Sequence, residues 1–299
     1  NPGSSIFTIV PPQDAFIPAF DRSFHFGDSV YEVARSYKGI LFALPEHIRR
    51  LENSARLGMF EHFPDKGLIS RMIRETSKAF FNKFGNTDIY VRIIVSRGMG
   101  DLNIDADTSS APYPIVIVKE LQPPSQKTFD EGVHYAIVNR RRNPPVALDP
   151  AMKSGNYLNN VLALAEAKKT GAIDALMLST QGFVTEGTTN NFFIVKNGEV
   201  WTAPLSVGIL AGITRDWIFE ICRTKKIPIQ ERLFTAGDVQ AADELFLSSS
   251  IKEVMGVTTL NGSPVKSGLP GPITRKIHEG FLEIVAEYVK NHKAESLYS

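Results

Sequence analysis

The alternation of apolar and polar positions predicts a chain that switches repeatedly between strand and helix. Asp28 to Tyr37, followed by Lys38-Gly39 and Ile40-Leu41-Phe42, predicts a β-hairpin with the Lys-Gly pair in its turn. A helix is expected from Pro45, because Ile48, Leu51 and Ala55 recur at the helical period and leave Arg49 and Glu52 outward. Leu68, Met72, Ile73, Phe80 and Phe84 predict a second helix, closed by Gly85. Strands are expected from Tyr90 to Ser96 and from Pro114 to Lys119, and Leu121-Gln122-Pro123-Pro124-Ser125 then breaks both periods. The second half predicts a strand from His134 to Asn139 and a helix with Leu158, Val161, Leu162 and Ala165 on one side. Strands follow at Asp174 to Ser179, Phe183 to Thr185, Asn191 to Lys196 and Glu244 to Ser248, with Asn197-Gly198 as a two-residue hairpin turn. Helices are expected from Gly212, carrying Trp217, Ile218 and Ile221, and from Ile273 to about Val289.

This alternation, without repeats, predicts an α/β chain. At 299 residues it exceeds the size at which one core usually keeps growing. We therefore expect an N-terminal α/β domain over 1–120, a linker over 121–130 and a C-terminal domain over 131–299.

Charge and composition narrow the partners. A net charge of +1 gives no broad field for nucleic acid or anionic membrane and favours small neutral or zwitterionic ligands. The single Cys222 excludes an intrachain disulfide framework and a thiolate metal cluster, fits a reducing, cytoplasmic setting, and reads as buried filler. No metal is expected. No apolar run approaches the roughly 18 residues of a membrane span. The chain starts Asn1-Pro2-Gly3 without an initiating methionine, so a short preceding segment is expected.

Four devices carry candidate chemistry. Lys153 stands between a turn signal and a helix, beside Met152 and Ser154-Gly155. An amine that bonds covalently to an aldehyde must spend time unprotonated, which burial or a neighbouring cation favours. Glu186, in Val184-Thr185-Glu186-Gly187, is a candidate partner for a protonated ring nitrogen. Gly212, Ile213 and Thr214 at a helix start, with Ser249 and Ser250 after a strand, offer N–H and hydroxyl donors to a phosphate. Arg50 supplies a guanidinium that matches phosphate oxygens in a bidentate way. Each also has an ordinary reading: a surface lysine, a turn carboxylate, a loop hinge with an N-cap, a polar strand exit and a solvated helix arginine. The Arg140-Arg141-Arg142 triplet reads as a solvated strand end.

Taken together, the motifs resemble a known family. Phe20-Asp21-Arg22-Ser23-Phe24-His25-Phe26-Gly27-Asp28, His47-Ile48-Arg49-Arg50-Leu51, Lys153 to Asn160, Glu186-Gly187, Gly212-Ile213-Thr214-Arg215 and Ala242-Asp243-Glu244-Leu245-Phe246 resemble the fold-type IV pyridoxal-phosphate enzymes. These are the class-IV aminotransferases, which include branched-chain and D-amino acid aminotransferases and aminodeoxychorismate lyase. The resemblance implies a small N-terminal α/β domain, a larger mixed, barrel-like C-terminal domain, and a homodimer. It implies that Lys153 forms the Schiff base with pyridoxal 5'-phosphate and moves the proton. Glu186 would pair with the ring nitrogen, Arg50, Ile213, Thr214 and Ser250 would hold the phosphate, and Tyr157 the ring hydroxyl.

Substrate signals divide within that resemblance. Tyr90-Val91-Arg92, Arg35 and Arg97-Gly98-Met99-Gly100-Asp101-Leu102 resemble branched-chain enzymes, whereas Gly27-Asp28-Ser29-Val30-Tyr31-Glu32-Val33 is equally similar to D-amino acid enzymes. The Arg-x-His carboxylate trap of the latter is absent, since the chain reads Asp101-Leu102-Asn103-Ile104. Ser248-Ser249-Ser250-Ile251-Lys252 also replaces the Gly-Thr-Ala run of branched-chain enzymes. Phe24, Phe26, Tyr31 and Tyr90 are candidate apolar walls for the substrate. The expected activity is transamination between a hydrophobic L-amino acid and a 2-oxo acid such as 2-oxoglutarate. The alternatives are a D-amino acid aminotransferase and a lyase.

Overall fold

The structure, a computed structural model, describes residues 7–298, so the start at Asn1-Pro2-Gly3 lies outside the described residues. The chain forms two compact units. One runs through Gln122 and takes in Met152–Asn156 and the chain from Val289 onward, while the other holds Pro123–Ala151 and Tyr157–Tyr288. The short segment around Lys153 thus groups with the first unit.

In the first unit α1 (Arg22–Phe26) is capped by Asp21, whose side chain accepts from Ser23 N. An antiparallel sheet follows in the order β2-β1-β3-β4, from β1 (Ser29–Tyr37), β2 (Ile40–Leu41), β3 (Ile89–Ser96) and β4 (Tyr113–Glu120). Lys38 and Gly39 both have positive φ, 53° and 78°, as a two-residue turn of this hand requires. One face of β1 and β3, with Val30, Ala34, Val91, Ile93 and Val95, packs against α2 (Leu44–Leu57) and α3 (Lys66–Phe84). α3 departs from expectation. Its buried side is Ile69, Met72, Ile73, Ser77 and Phe81, and Phe84 is 62% exposed. The opposite face of the sheet carries Tyr31, Val33 and Arg35 of β1, set across from Ile94, Arg92 and Tyr90 of β3.

The second unit begins with α4 (Gln126–Glu131), so a capped helix stands where a linker was expected, with Ser125 accepting from Thr128 N. Its sheet contains β5 (Val133–Arg141), β6 (Asp174–Leu178), β7 (Val184–Gly187), β8 (Asn191–Lys196), β9 (Glu199–Thr202), β10 (Ile229–Glu231), β11 (Glu244–Ser249), β12 (Glu253–Leu260) and β13 (Ser263–Pro264). β7 pairs with both β6 and β8, so β8-β11-β12-β5-β6-β7 close into a ring among the described residues, with β9 and β10 continuing from β8. Closure satisfies both edges of each strand, and the strands bury both faces. Tyr135, Leu176, Phe192, Ile194, Leu245 and Leu247 share one apolar cluster, while Ala136, Val138, Ala175 and Met177 pack on Ala163 and Ala167 of α5 (Leu158–Lys168).

The orientation of α5 overturns its expected core face. Leu158 and Val161 are 69% and 56% exposed, and the buried side is Asn160, Ala163 and Ala167. Small side chains let the helix approach the sheet closely, so this packing outranks the larger apolar stripe. α6 (Ile213–Thr224), α7 (Ala236–Gln240) and α8 (Pro272–Asn291) complete the fold. Cys222 is buried in α6, and its thiol is pushed up to about 12 by burial.

Candidate active site

In the first unit Lys153 is fixed by backbone pairing at the edge of β1. Its carbonyl accepts from Tyr31 N at 2.9 Å, Gly155 N donates to Ser29 O at 2.7 Å, and Val30 bridges Ser154. Lys153 N also donates to Ser54 Oγ at 3.1 Å. A Cβ at residue 155 would lie 2.4 Å from Ser29 Oγ and 3.0 Å from Gly27 O, so this close approach needs glycine. The lysine side chain is brought over Tyr31, with Nζ 4.6 Å from the ring centroid. The Arg92 guanidinium carbon lies 3.9 Å from the same centroid. An amine and a guanidinium therefore share one aromatic ring. Arg35 lies over Tyr37 at 4.0 Å and faces Tyr90 in register, while Phe26 lies in α1 with Arg22 over its ring.

Arg50 occupies a different setting from the solvated one. Its Nε and Nη2 donate to Glu32 Oε1 and Oε2 at 2.6 and 2.9 Å, and His47 Nδ1 lies 2.7 Å from Oε2. Glu32 is fully buried. Burial pushes its carboxyl up, but the charges and hydrogen bonds of Arg50 and His47 outweigh this and hold it well below the ordinary 4.5. Burial takes the His47 imidazole below its ordinary 6.5 against the pull of Glu32, and Arg50 and Lys153 act in the same direction as burial. The carboxylate can only accept, so neutral His47 donates from Nδ1. Glu32 therefore occupies the Nε/Nη2 edge of Arg50.

In the second unit Glu186 lies on β7, 5% exposed. Arg142 donates to its Oε1 from Nε at 3.1 Å and Nη2 at 2.9 Å, and Leu210 N donates to Oε2 at 3.1 Å. Asn191 Nδ2 reaches Oε2 at 3.4 Å and Leu210 O at 2.9 Å. Arg142 Nη1 in turn donates to Asn160 Oδ1 at 2.9 Å. The arginine triplet is therefore no simple strand end: Arg140 and Arg141 are exposed, and Arg142 anchors the carboxylate.

The expected phosphate donors also lie in the second unit. Gly212 is the N-cap of α6 and has no side-chain capping bond, while Ile213 and Thr214 open the helix and are buried. A Cβ at residue 212 would come within 1.9 Å of Asn191 Oδ1, so any side chain there would have to displace the Asn191 amide. Ser249 ends β11, its Oγ accepts from Lys252 N at 3.0 Å, and Ser250 follows in the turn. Ser248 Oγ is buried without a partner among the described residues. Arg215, the last residue of the Gly-Ile-Thr-Arg motif, donates instead to Ala203 O and Glu231. Tyr157 is the N-cap residue of α5.

A family profile described as Amino-transferase class IV matches residues 29–260. The chain is a class IV aminotransferase. It is 36% identical over 275 residues to a putative branched-chain-amino-acid aminotransferase of Methanocaldococcus jannaschii, covering 92% of this chain and 93% of that one. It is 34% identical over 286 residues to a D-alanine aminotransferase of Staphylococcus aureus strain COL, covering 95% and 96%. Its fold matches the branched-chain amino acid aminotransferase of Thermobaculum terrenum in its PLP form, with a TM-score of 0.80, 26% identity and coverage of 92% and 91%. Class IV aminotransferases use pyridoxal 5'-phosphate. This chain's donor set fits that group: it has an amine held over an aromatic ring, a buried carboxylate anchored by arginine, and an uncapped helix start.

Sequence reasoning missed Glu32 as the partner of Arg50 and Arg142 as the partner of Glu186. A lone glutamate between apolar Tyr31 and Val33 in a core strand was the signal for the first. The second had none, because Arg142 and Glu186 are 44 residues apart.

Proposed function

We propose that the chain transfers an amino group between a hydrophobic, branched-chain-type L-amino acid and a 2-oxo acid such as 2-oxoglutarate. The observation that carries this reading is the placement of Lys153 Nζ and the Arg92 guanidinium on the Tyr31 ring. That pair supplies a base for the substrate's α-proton beside a cation for its carboxylate. Tyr90 and Arg35 extend the same sheet face, and Tyr31, Tyr90 and Phe26 provide apolar surface for the side chain.

When bound, pyridoxal 5'-phosphate supplies an electron sink for the charge left at the substrate's α carbon. Lys153 Nζ would take the proton from that carbon and deliver it back on the cofactor side, and water would then release the 2-oxo acid while the nitrogen stays with the cofactor. Glu186, in ion pair with Arg142, would pair with the ring nitrogen. Arg50, Ile213, Thr214, Ser249 and Ser250 would hold the phosphate, with Gly212 giving the helix start its open approach, and Tyr157 would meet the ring hydroxyl. We further propose that the enzyme works as a cytoplasmic homodimer.

The D-alanine aminotransferase relatives support a second reading, D-amino acid transamination. Against it stands the loop at 101–105, where an Arg-x-His trap is missing and the carbonyls of Asn103, Ile104 and Asp105 accept from Arg22. A panel of L- and D-amino acids assayed with 2-oxoglutarate and with pyruvate separates the two. A lyase would form no glutamate in that assay. Lys153→Ala should lower turnover by roughly 10²–10⁴-fold; an undiminished rate would reject Lys153 as the proton carrier.

A further inference from the structure

We propose that Glu32 is the positioning residue for the cofactor's phosphate, acting through Arg50. The inference rests on the reading of Arg50 as a phosphate ligand. Glu32 lies on the core-facing side of β1 between Val30 and Ala34, both in the apolar cluster. A carboxylate in such a place costs desolvation, and an apolar residue of similar volume would often serve stability as well or better. What an apolar residue cannot do is orient a guanidinium. Arg50 and His47 lie three positions apart on α2 and both grip this one carboxylate, so strand and helix face are locked together at the arginine.

Free arginine side chains carry rotamer entropy that a ligand must otherwise quench on binding. With Nε and Nη2 held by Glu32, the guanidinium plane is set before any anion arrives. His47, one turn earlier on α2, also lies within the electrostatic reach of Lys153, so the cluster and the amine belong to the same part of the first unit.

The full chain, stripped of cofactor, is titrated with pyridoxal 5'-phosphate and with pyridoxal, which has the same ring and aldehyde but no phosphate. Wild type, Glu32→Gln, Arg50→Lys and the double variant are compared. Glu32→Gln should weaken phosphate-ester binding about tenfold or more, as loss of one well-set charged contact does, and leave pyridoxal within about twofold. In the Arg50→Lys background the Glu32→Gln loss should vanish, because coupled residues are not additive. Equal losses for both ligands, a full Glu32→Gln loss in the Arg50→Lys background, or unchanged phosphate-ester affinity in Glu32→Gln would overturn the proposal. If Arg50→Lys itself binds both ligands as wild type does, Arg50 is no phosphate ligand and the underlying reading fails instead. Should Glu32→Gln not fold, Glu32→Asp, with its carboxylate drawn back by one methylene, is read by the same ratio of affinities.

Discussion

Two buried glutamates, one in each unit, are both held by an arginine, and the difference in their remaining contacts separates their roles. Glu32 receives Arg50 on both oxygens and His47 on one of them. Glu186 receives Arg142 on Oε1, while Oε2 takes neutral donors, Leu210 N and Asn191. A carboxylate gripped on both oxygens by one guanidinium is an anchor for that guanidinium. An arginine that meets only Oε1, as Arg142 does at Glu186, fits the proposed pairing of that carboxylate with a cationic ring nitrogen. The lesson is that residue type and burial do not assign a role to an acid; the way its oxygens are shared among its partners does.

The comparison breaks most sharply at turnover. Glu186→Gln is expected to cut kcat by roughly 10²–10⁴-fold while the cofactor stays bound. Steady-state rates and absorbance of the same sample measure both, and an unchanged kcat would place the ring nitrogen's partner elsewhere. Next in size is stability. Arg142→Met leaves Glu186 buried without its cation, which typically costs about 3–5 kcal/mol, and urea denaturation of the cofactor-free chain reads it directly.

Acid sharpens the contrast further. The folded-state carboxyl of Glu32 titrates below its ordinary 4.5, so its contribution to stability is complete above that pH and is lost as pH falls toward the folded value. The melting temperature should therefore drop on acidification below about pH 4.5, and Glu32→Gln should flatten that slope. An identical slope in the variant would show that other acids carry the transition. The smallest effect belongs to Cys222, outside both clusters. With its thiol raised to about 12 and fully buried, it should resist alkylation in the native protein at pH 8 and react only on unfolding.

Much of this was legible in the chain. The Lys38-Gly39 and Asn197-Gly198 turns stand where expected, and α2 opens at Leu44 with Pro45 in its first turn, one residue from the expected start. The family motifs are likewise contiguous, so the class IV aminotransferase resemblance was readable. Other features resisted reading. The apolar stripe of α5 pointed to Leu158, Val161 and Leu162 as core, yet the helix docks through Asn160, Ala163 and Ala167, because the sheet beneath presents Ala136 and Ala175 and rewards close approach. Nothing local in the chain showed that Glu32 would take the Nε/Nη2 edge of Arg50.

By itself the sequence determined the alternation of elements, the turns, the caps and the motif residues, since each depends on neighbours within a few positions. Only the tertiary structure decided which charges meet. Glu32 finds Arg50 across 18 residues and Glu186 finds Arg142 across 44, and strand pairing sets Lys153 and Arg92 on one tyrosine ring. Electrostatic and hydrogen-bond energies depend on distance and burial in space, and neither is written in separation along the chain.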